Sequence, residues 1–223
     1  MGKFINIAID GPAGAGKSTI AKQVAKMLGI LYLDTGAMYR VVALKAIREG
    51  IDTLDWGKVA YISENIDIDI VYDESGAQKV ILNGEDVSNL IRTPEVSKGS
   101  SDVSAVPSVR IKLVELQRKI AEKNSVIMDG RDIGTYVLPN ANIKIFLTAS
   151  VDERAERRFK EMYEKDNKHT FCDVKKDIEY RDKNDSSREF APLSVAADAI
   201  LIDTTEMTID EVMKKIIKII EDN

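Results

Sequence analysis

The chain has 223 residues, 44% of them apolar and 31% charged, which fits one sizeable soluble core with a subdomain attached and excludes collagen-like, disordered and membrane-spanning chains. Thirty-seven acidic against 32 basic side chains give a formal net charge of −5, so no global positive field marks a nucleic-acid polymer or an anionic membrane as partner. The single cysteine, Cys172, cannot form an intrachain disulfide and suits a reducing cytosol.

Residues 4–9 form the first apolar run. It is too short for a secretory core, and Asn6 spoils a myristoylation pattern, so the chain is expected to be cytoplasmic and unanchored. With the runs 125–128, 143–147 and 199–202 it predicts strands buried on both faces, and the helical patterns between them predict a parallel α/β sheet. Directly after the first run, Gly11, Pro12, Ala13, Gly14, Ala15, Gly16, Lys17 and Ser18 fill the pattern GxxxxGK[ST], and a helical stretch follows over 19–28. Glycines let the backbone turn its N–H groups inward around phosphate oxygens, and the helix adds its positive N-terminal end. Lys17 supplies an ammonium for the β and γ phosphates, and Ser18 is the natural hydroxyl ligand for Mg²⁺. The loop reads phosphates, so it predicts a nucleoside triphosphate without naming its base.

The group Asp34-Thr35-Gly36-Ala37-Met38-Tyr39-Arg40 comes next. Beyond it Ile66, Ile68 and Ile70 alternate with Asp67 and Asp69, and residues 80–82 run into Asn83-Gly84, which predicts antiparallel sheet with one wet face inserted over about 61–106. The run 125–128 ends at a second placed group, Asp129-Gly130-Arg131-Asp132-Ile133-Gly134-Thr135, at the carboxyl end of a strand where open parallel sheets bind ligands. Ser150 with Glu153 and Thr208 with Glu211 each fit a capping box. A third group holds Arg181-Asp182, Asp185 and Arg188. All eleven arginines lie from Arg40 to Arg188, whereas the last helix carries lysines alone, a segregation that points to a second anion site. His169 reads as a solvated surface histidine, Cys172 as an isolated thiol, and Trp56 and the seven methionines as packing.

In order, IDGPAGAGKST, LDTGAMYR, GEDVSNLIRTPEVS, DGRDIGT, KIFL and the run 181–193 resemble the motifs of the bacterial cytidylate kinases, which are nucleoside monophosphate kinases, over nearly the whole chain. The resemblance implies an α/β P-loop kinase fold: a central five-stranded parallel sheet, an inserted antiparallel monophosphate-binding subdomain, and a short helical lid at about 150–190. It implies phosphorylation of CMP and dCMP by ATP with Mg²⁺, in a protein expected to be a monomer. ATP would lie on residues Gly11 to Ser18 and Thr19. The acceptor's phosphate would lie among Thr35, Arg40, Arg131 and Arg188 with Asp129 in the same set, its sugar near Asp185 and Arg181, and its base against Ser101, Arg110 and Asp132. Lys17, Arg131, Asp132 and Arg188 are the expected catalytic set. Thr35 stands where some relatives have Ser and keeps the hydroxyl. The lid has fewer arginines over 181–188 than some relatives, which makes Arg154, Arg157 and Arg158 further candidates for touching the transferred phosphoryl.

Chemistry supports the base assignment from a separate direction. Cytosine offers an amine donor, met by the oxygens of Asp132 or Ser101, and ring acceptors, met by Arg110. Uracil turns the amine into a carbonyl that an ionised Asp132 would repel, so a cytosine preference follows if these residues face the base. Two other readings compete. A P-loop kinase with another acceptor, such as UMP or a shikimate-like molecule, shares the same loop. A GTP switch needs an NKxD element, and Asn167-Lys168-His169-Thr170 lacks its carboxylate.

Overall fold

Strands that are apolar at nearly every position need cover on both faces, and they form the centre of the computed structural model, which describes residues 4–74, 76–163 and 170–222. The strands in chain order are β1 (Asn6–Asp10), β2 (Leu31–Asp34), β3 (Ile68–Tyr72), β4 (Gln78–Leu82), β5 (Glu85–Asp86), β6 (Val126–Gly130), β7 (Ile143–Thr148) and β8 (Ile200–Asp203). Five of them make one sheet in the order β2-β6-β1-β7-β8, every neighbouring pair parallel. Four are the apolar runs foreseen from sequence, but β8 corrects the expectation of burial on both faces: it is an edge strand in which Ile200 and Leu201 are exposed and Ile202 packs inward. The fifth, β2, is four residues long, too short to show a period of its own.

The helices are α1 (Lys17–Leu28), α2 (Thr35–Arg48), α3 (Trp56–Glu64), α4 (Pro94–Val103), α5 (Pro107–Ala121), α6 (Val151–Tyr163), α7 (Phe171–Ser187) and α8 (Ile209–Glu221). Alternation along the strands divides the interior in two. Ile7, Ile9, Ile127 and Ile145 pack with Ile20 and Val24 of α1 and Val212 and Ile216 of α8. Ala8, Val126 and Met128 face the other way, onto Met38 and Val42 of α2 and Leu113 of α5. That second core continues through Ile68, Val80 and Leu82, so the antiparallel β3-β4-β5 sheet is packed onto the body by its inner face while Asp69 and Val71 stay exposed. Asn83 and Gly84, at φ 50° and 83°, supply the two positive-φ positions of a tight hairpin between β4 and β5, as their sequence predicts. Residue 61 falls inside α3, and Val106 is the cap of α5.

Thr208 and Glu211 form both halves of their capping box. At Ser150 one half forms: its Oγ accepts the Glu153 N–H at 3.2 Å, but the Glu153 carboxylate turns to Arg157 at 2.8 Å instead of reaching back. A box that the sequence analysis did not single out, Thr170 with Asp173, starts α7. Cys172 is exposed, and Trp56 and Met27 lie largely in solvent, which corrects their reading as packing. His169 and the Asn167-Lys168 pair lie outside the described residues. No described helix is long and apolar enough to cross a membrane.

Candidate active site

The carboxyl ends of β1, β2 and β6 open into one crevice of about 570 Å³. Of the residues expected from sequence, all but Gly11, Pro12 and the further candidate Arg154 line it. Gly11 serves the loop by its size: at φ 147° a Cβ would sit 1.9 Å from the carbonyl oxygen of Leu147. Gly16, left-handed at φ 82°, caps α1 without a side-chain hydrogen bond, so the first N–H groups of the helix remain available to an anion. Lys17 is buried, and its Nζ donates to the Pro12 carbonyl at 2.7 Å. Burial, and next to it the guanidinium of Arg131, hold this ammonium well below its usual range. Ser18 Oγ and the Tyr32 hydroxyl each donate to the carboxylate of Asp129 at 2.7 Å. The backbone carbonyl of Asp129 accepts from Thr35 Oγ1 at 2.7 Å, so the residue joins the P-loop serine to the Thr35 hydroxyl.

Asp34 caps α2 by accepting the Ala37 N–H, and pairs with Arg40 at 3.3 Å and Arg92 at 3.0 Å. Burial alone would raise its carboxyl, but Arg40 and Arg92 hold it down to about 2. Deeper in, Asp185 accepts from Arg131 Nε at 2.6 Å and from Arg188 at 3.4 Å, while Arg188 also donates to Ser104 Oγ at 3.1 Å. Burial opposes ionisation of Asp185, and Arg131 followed by Arg188 bring it below the usual carboxylate range. Arg110, almost wholly buried, is ion-paired directly with Asp132, donates to the Ser104 carbonyl and lies over the Tyr39 ring at 5.3 Å. The Asp132 carboxylate thus holds and aims the Arg110 guanidinium. Ser101 is engaged by Asn184, which donates to both its carbonyl and its Oγ at 2.9 Å.

Cations crowd this crevice. Burial and then Arg131 push Arg181 down to about 10, and burial and then Arg110 lower Arg188. Arg181 Nε and Arg188 Nε and Nη2 are buried without a hydrogen-bond partner. Donors of one sign, desolvated and mutually repelling, fit a bound anion. Among the other arginines raised from sequence, Arg154 is taken up by protein acceptors, Arg157 donates to Thr204 at 2.6 and 3.0 Å, and Arg158 pairs with Glu161 while lining the crevice. No group of three or more His, Cys, Asp or Glu converges on a metal site among the described residues. Ser18 Oγ beside Asp129 offers two hard oxygens, the partial set that Mg²⁺ takes when phosphates and waters complete its shell.

Sequence reasoning missed Asp10. Its two oxygens accept the N–H groups of Ile133 and Gly134 at 2.8 and 2.7 Å, and so fix the turn that carries Arg131 and Asp132. Burial, opposed by those N–H groups, pushes its carboxyl from 3.8 up to about 7. The folded chain then keeps a proton that the unfolded chain releases, so Asp10's contribution to stability falls as pH rises from about 4 to about 7. Asp10→Asn is expected to flatten that slope in urea midpoints measured across the window; an unchanged slope would assign it to other carboxyls.

The model of the cytidylate kinase family matches residues 7–222. A protein named cytidylate kinase from Caldicellulosiruptor saccharolyticus is 52% identical over 217 residues, covering 97% of this chain and 96% of the relative. One of the same name from Lactobacillus gasseri is 53% identical over 218 residues, covering 98% and 94%. Among solved structures, an uncharacterized protein from Eubacterium ventriosum superposes with a TM-score of 0.56 at 16% identity, covering 98% of this chain and 99% of that one, and shares the fold.

Proposed function

The chain belongs to the cytidylate kinase family, and from that premise we propose that the crevice carries the γ-phosphoryl of ATP to the 5′-phosphate of CMP or dCMP, giving the diphosphate and ADP. The observation that supports the residue roles most is the set of buried, unpartnered guanidinium nitrogens of Arg181 and Arg188, residues that line the same crevice as the P-loop. Two anion-binding sets in one crevice suit transfer between two phosphorylated substrates.

On this reading residues Ala13 to Thr19 hold the triphosphate, with Lys17 as the mobile charge at its β and γ phosphates. Arg40, Arg131, Arg188 and Thr35 Oγ1 take the acceptor's phosphate, and Arg181 with Asp185 its sugar. Arg110 and Ser101 read the base, and Asp132 acts on the same end, both as acceptor and as the partner that aims Arg110. Ser18, with Asp129 behind it, would hold Mg²⁺, which when bound neutralises phosphate charge. The residues' work is positioning and charge stabilisation, and no general base is required because the accepting phosphate oxygen is already ionised near neutral pH. The segments 61–106 and 150–190 are the parts we assign to acceptor binding and closure. The working unit proposed is a monomer, and the exposed thiol of Cys172 suits the cytoplasm.

Thermal shifts with an ATP analogue plus CMP, UMP, AMP, GMP or shikimate test the acceptor, because a bound ligand raises the melting temperature. CMP is expected to give the largest increment. A larger one with shikimate or UMP would overturn the base assignment. Asp185→Ala is expected to lower the ratio of kcat/KM for CMP over dCMP about tenfold or more, since a hydrogen bond from the 2′-hydroxyl to a carboxylate is lost only for the ribose substrate. An unchanged ratio would leave Asp185 with the role of holding Arg131 and Arg188.

A further inference from the structure

The lid helices touch the phosphate loop as well as the acceptor side. Arg154 of α6 is 4% exposed. Its guanidinium donates to the carbonyls of Ala149 and Ala13, each at 2.9 Å, and to Asp182 of α7 at 2.5 Å. The second oxygen of Asp182 accepts the N–H of Ala13 at 3.2 Å. Both backbone polar groups of one P-loop residue are therefore held by the lid, one by each helix. The approach is close: a Cβ on Gly14 would lie 2.9 Å from the Arg154 carbonyl oxygen and 3.3 Å from Ile178 Cδ1. Ala155 of α6 packs with Val174 and Ile178 of α7, so the two helices present Arg154 and Asp182 as one piece.

We propose that Arg154 and Asp182 are positioning residues for the donor site, a clasp through which the seated lid sets the backbone at Ala13 and Gly14 for the triphosphate. The proposal rests on the crevice being the ATP- and CMP-binding site. Backbone between Gly11, Gly14 and Gly16 has wide conformational freedom, and a loop fixed beforehand loses less of it on binding. Arg154, held by three acceptors, acts through Ala13 and does not follow the phosphoryl group.

The test compares Arg154→Met, Asp182→Ala and the double variant by calorimetric titration with a non-hydrolysable ATP analogue and, separately, with CMP. Each single change is expected to raise the analogue's Kd about tenfold or more, the equivalent of one charged hydrogen bond. The double variant should fall close to either single one, because all three lose the same clasp. CMP affinity should move clearly less than the analogue's, because the hydrogen bonds of Arg154 and Asp182 go to each other and to the backbone of Ala13 and Ala149, not to the residues assigned to the acceptor. Analogue affinity unchanged in the single variants overturns the clasp. So does a loss in Arg154→Met alone, which would mean direct contact with the triphosphate, and so does an equal loss for both ligands in folded protein, which would mean a general structural role. Should Arg154→Met fail to fold, Asp182→Ala, at a partly exposed position, decides alone. Wild-type protein that does not phosphorylate CMP would sink the functional reading while leaving the analogue titration, which contains no acceptor, as the measure of the clasp.

Discussion

Lys17→Ala is expected to lower turnover by about two to three powers of ten while leaving the fold at least as stable as before. Removing a preorganised charge aimed at developing phosphate charge costs about that much in comparable sites. The stability half of the expectation comes from the environment. The ammonium is buried, and the guanidinium of Arg131 repels it, so in the absence of an anion it is held at a cost. Its hydrogen bond to the Pro12 carbonyl offsets part of that cost, and the carboxylates of Asp129 and Asp185 offset more. Alanine removes the charge and the repulsion together, so the thermal midpoint should stay level or rise while coupled ADP release falls. Such opposition between stability and activity is common where a site is built for a charged ligand. Near wild-type turnover would remove Lys17 from the mechanism, and a large drop in midpoint would show that Lys17 supports the loop as structure.

What could be read in the sequence follows from how far each signal reaches along the chain. The P-loop, the Asn83-Gly84 turn and the Thr208-Glu211 cap are each written within a few residues, and each is present. Strand β2 is too short to show a period of its own and was expected from the five-stranded fold, not from its pattern, and the Ser150 cap formed only by half because Arg157, one turn on, competes for Glu153. Pairings across the crevice were beyond local reading. Asp10 meets Gly134 across 124 positions and Arg154 meets Ala13 across 141. Which carboxylate a buried arginine selects depends on burial and on competing charges, as with Asp185, which hydrogen-bonds Arg131 and Arg188 while Arg181 acts on it only through its charge. The resemblance named the residues of the crevice, and the fold showed which are aimed by which.

Arg110→Met is expected to weaken CMP by about one to two powers of ten with little effect on an ATP analogue, since it strips a donor from the base end alone. It should also lower stability, because Asp132 is left as a buried carboxylate without its guanidinium, a loss of about 3 to 5 kcal/mol when one partner of a buried pair is removed. The Ser104 carbonyl and the face of Tyr39 lose their partner as well. Weak binding by a destabilised chain would be ambiguous, and the double variant Arg110→Met with Asp132→Leu removes the ambiguity. Replacing both members of a buried ion pair by apolar side chains is often neutral or stabilising. The double variant should therefore recover most of the thermal midpoint lost by the single one. CMP binding should not recover, because neither the guanidinium donor nor the carboxylate acceptor has returned to the base. Recovery of both midpoint and CMP affinity would show that the pair only maintains the shape of the crevice, and base recognition would then pass to Ser101 and its partner Asn184.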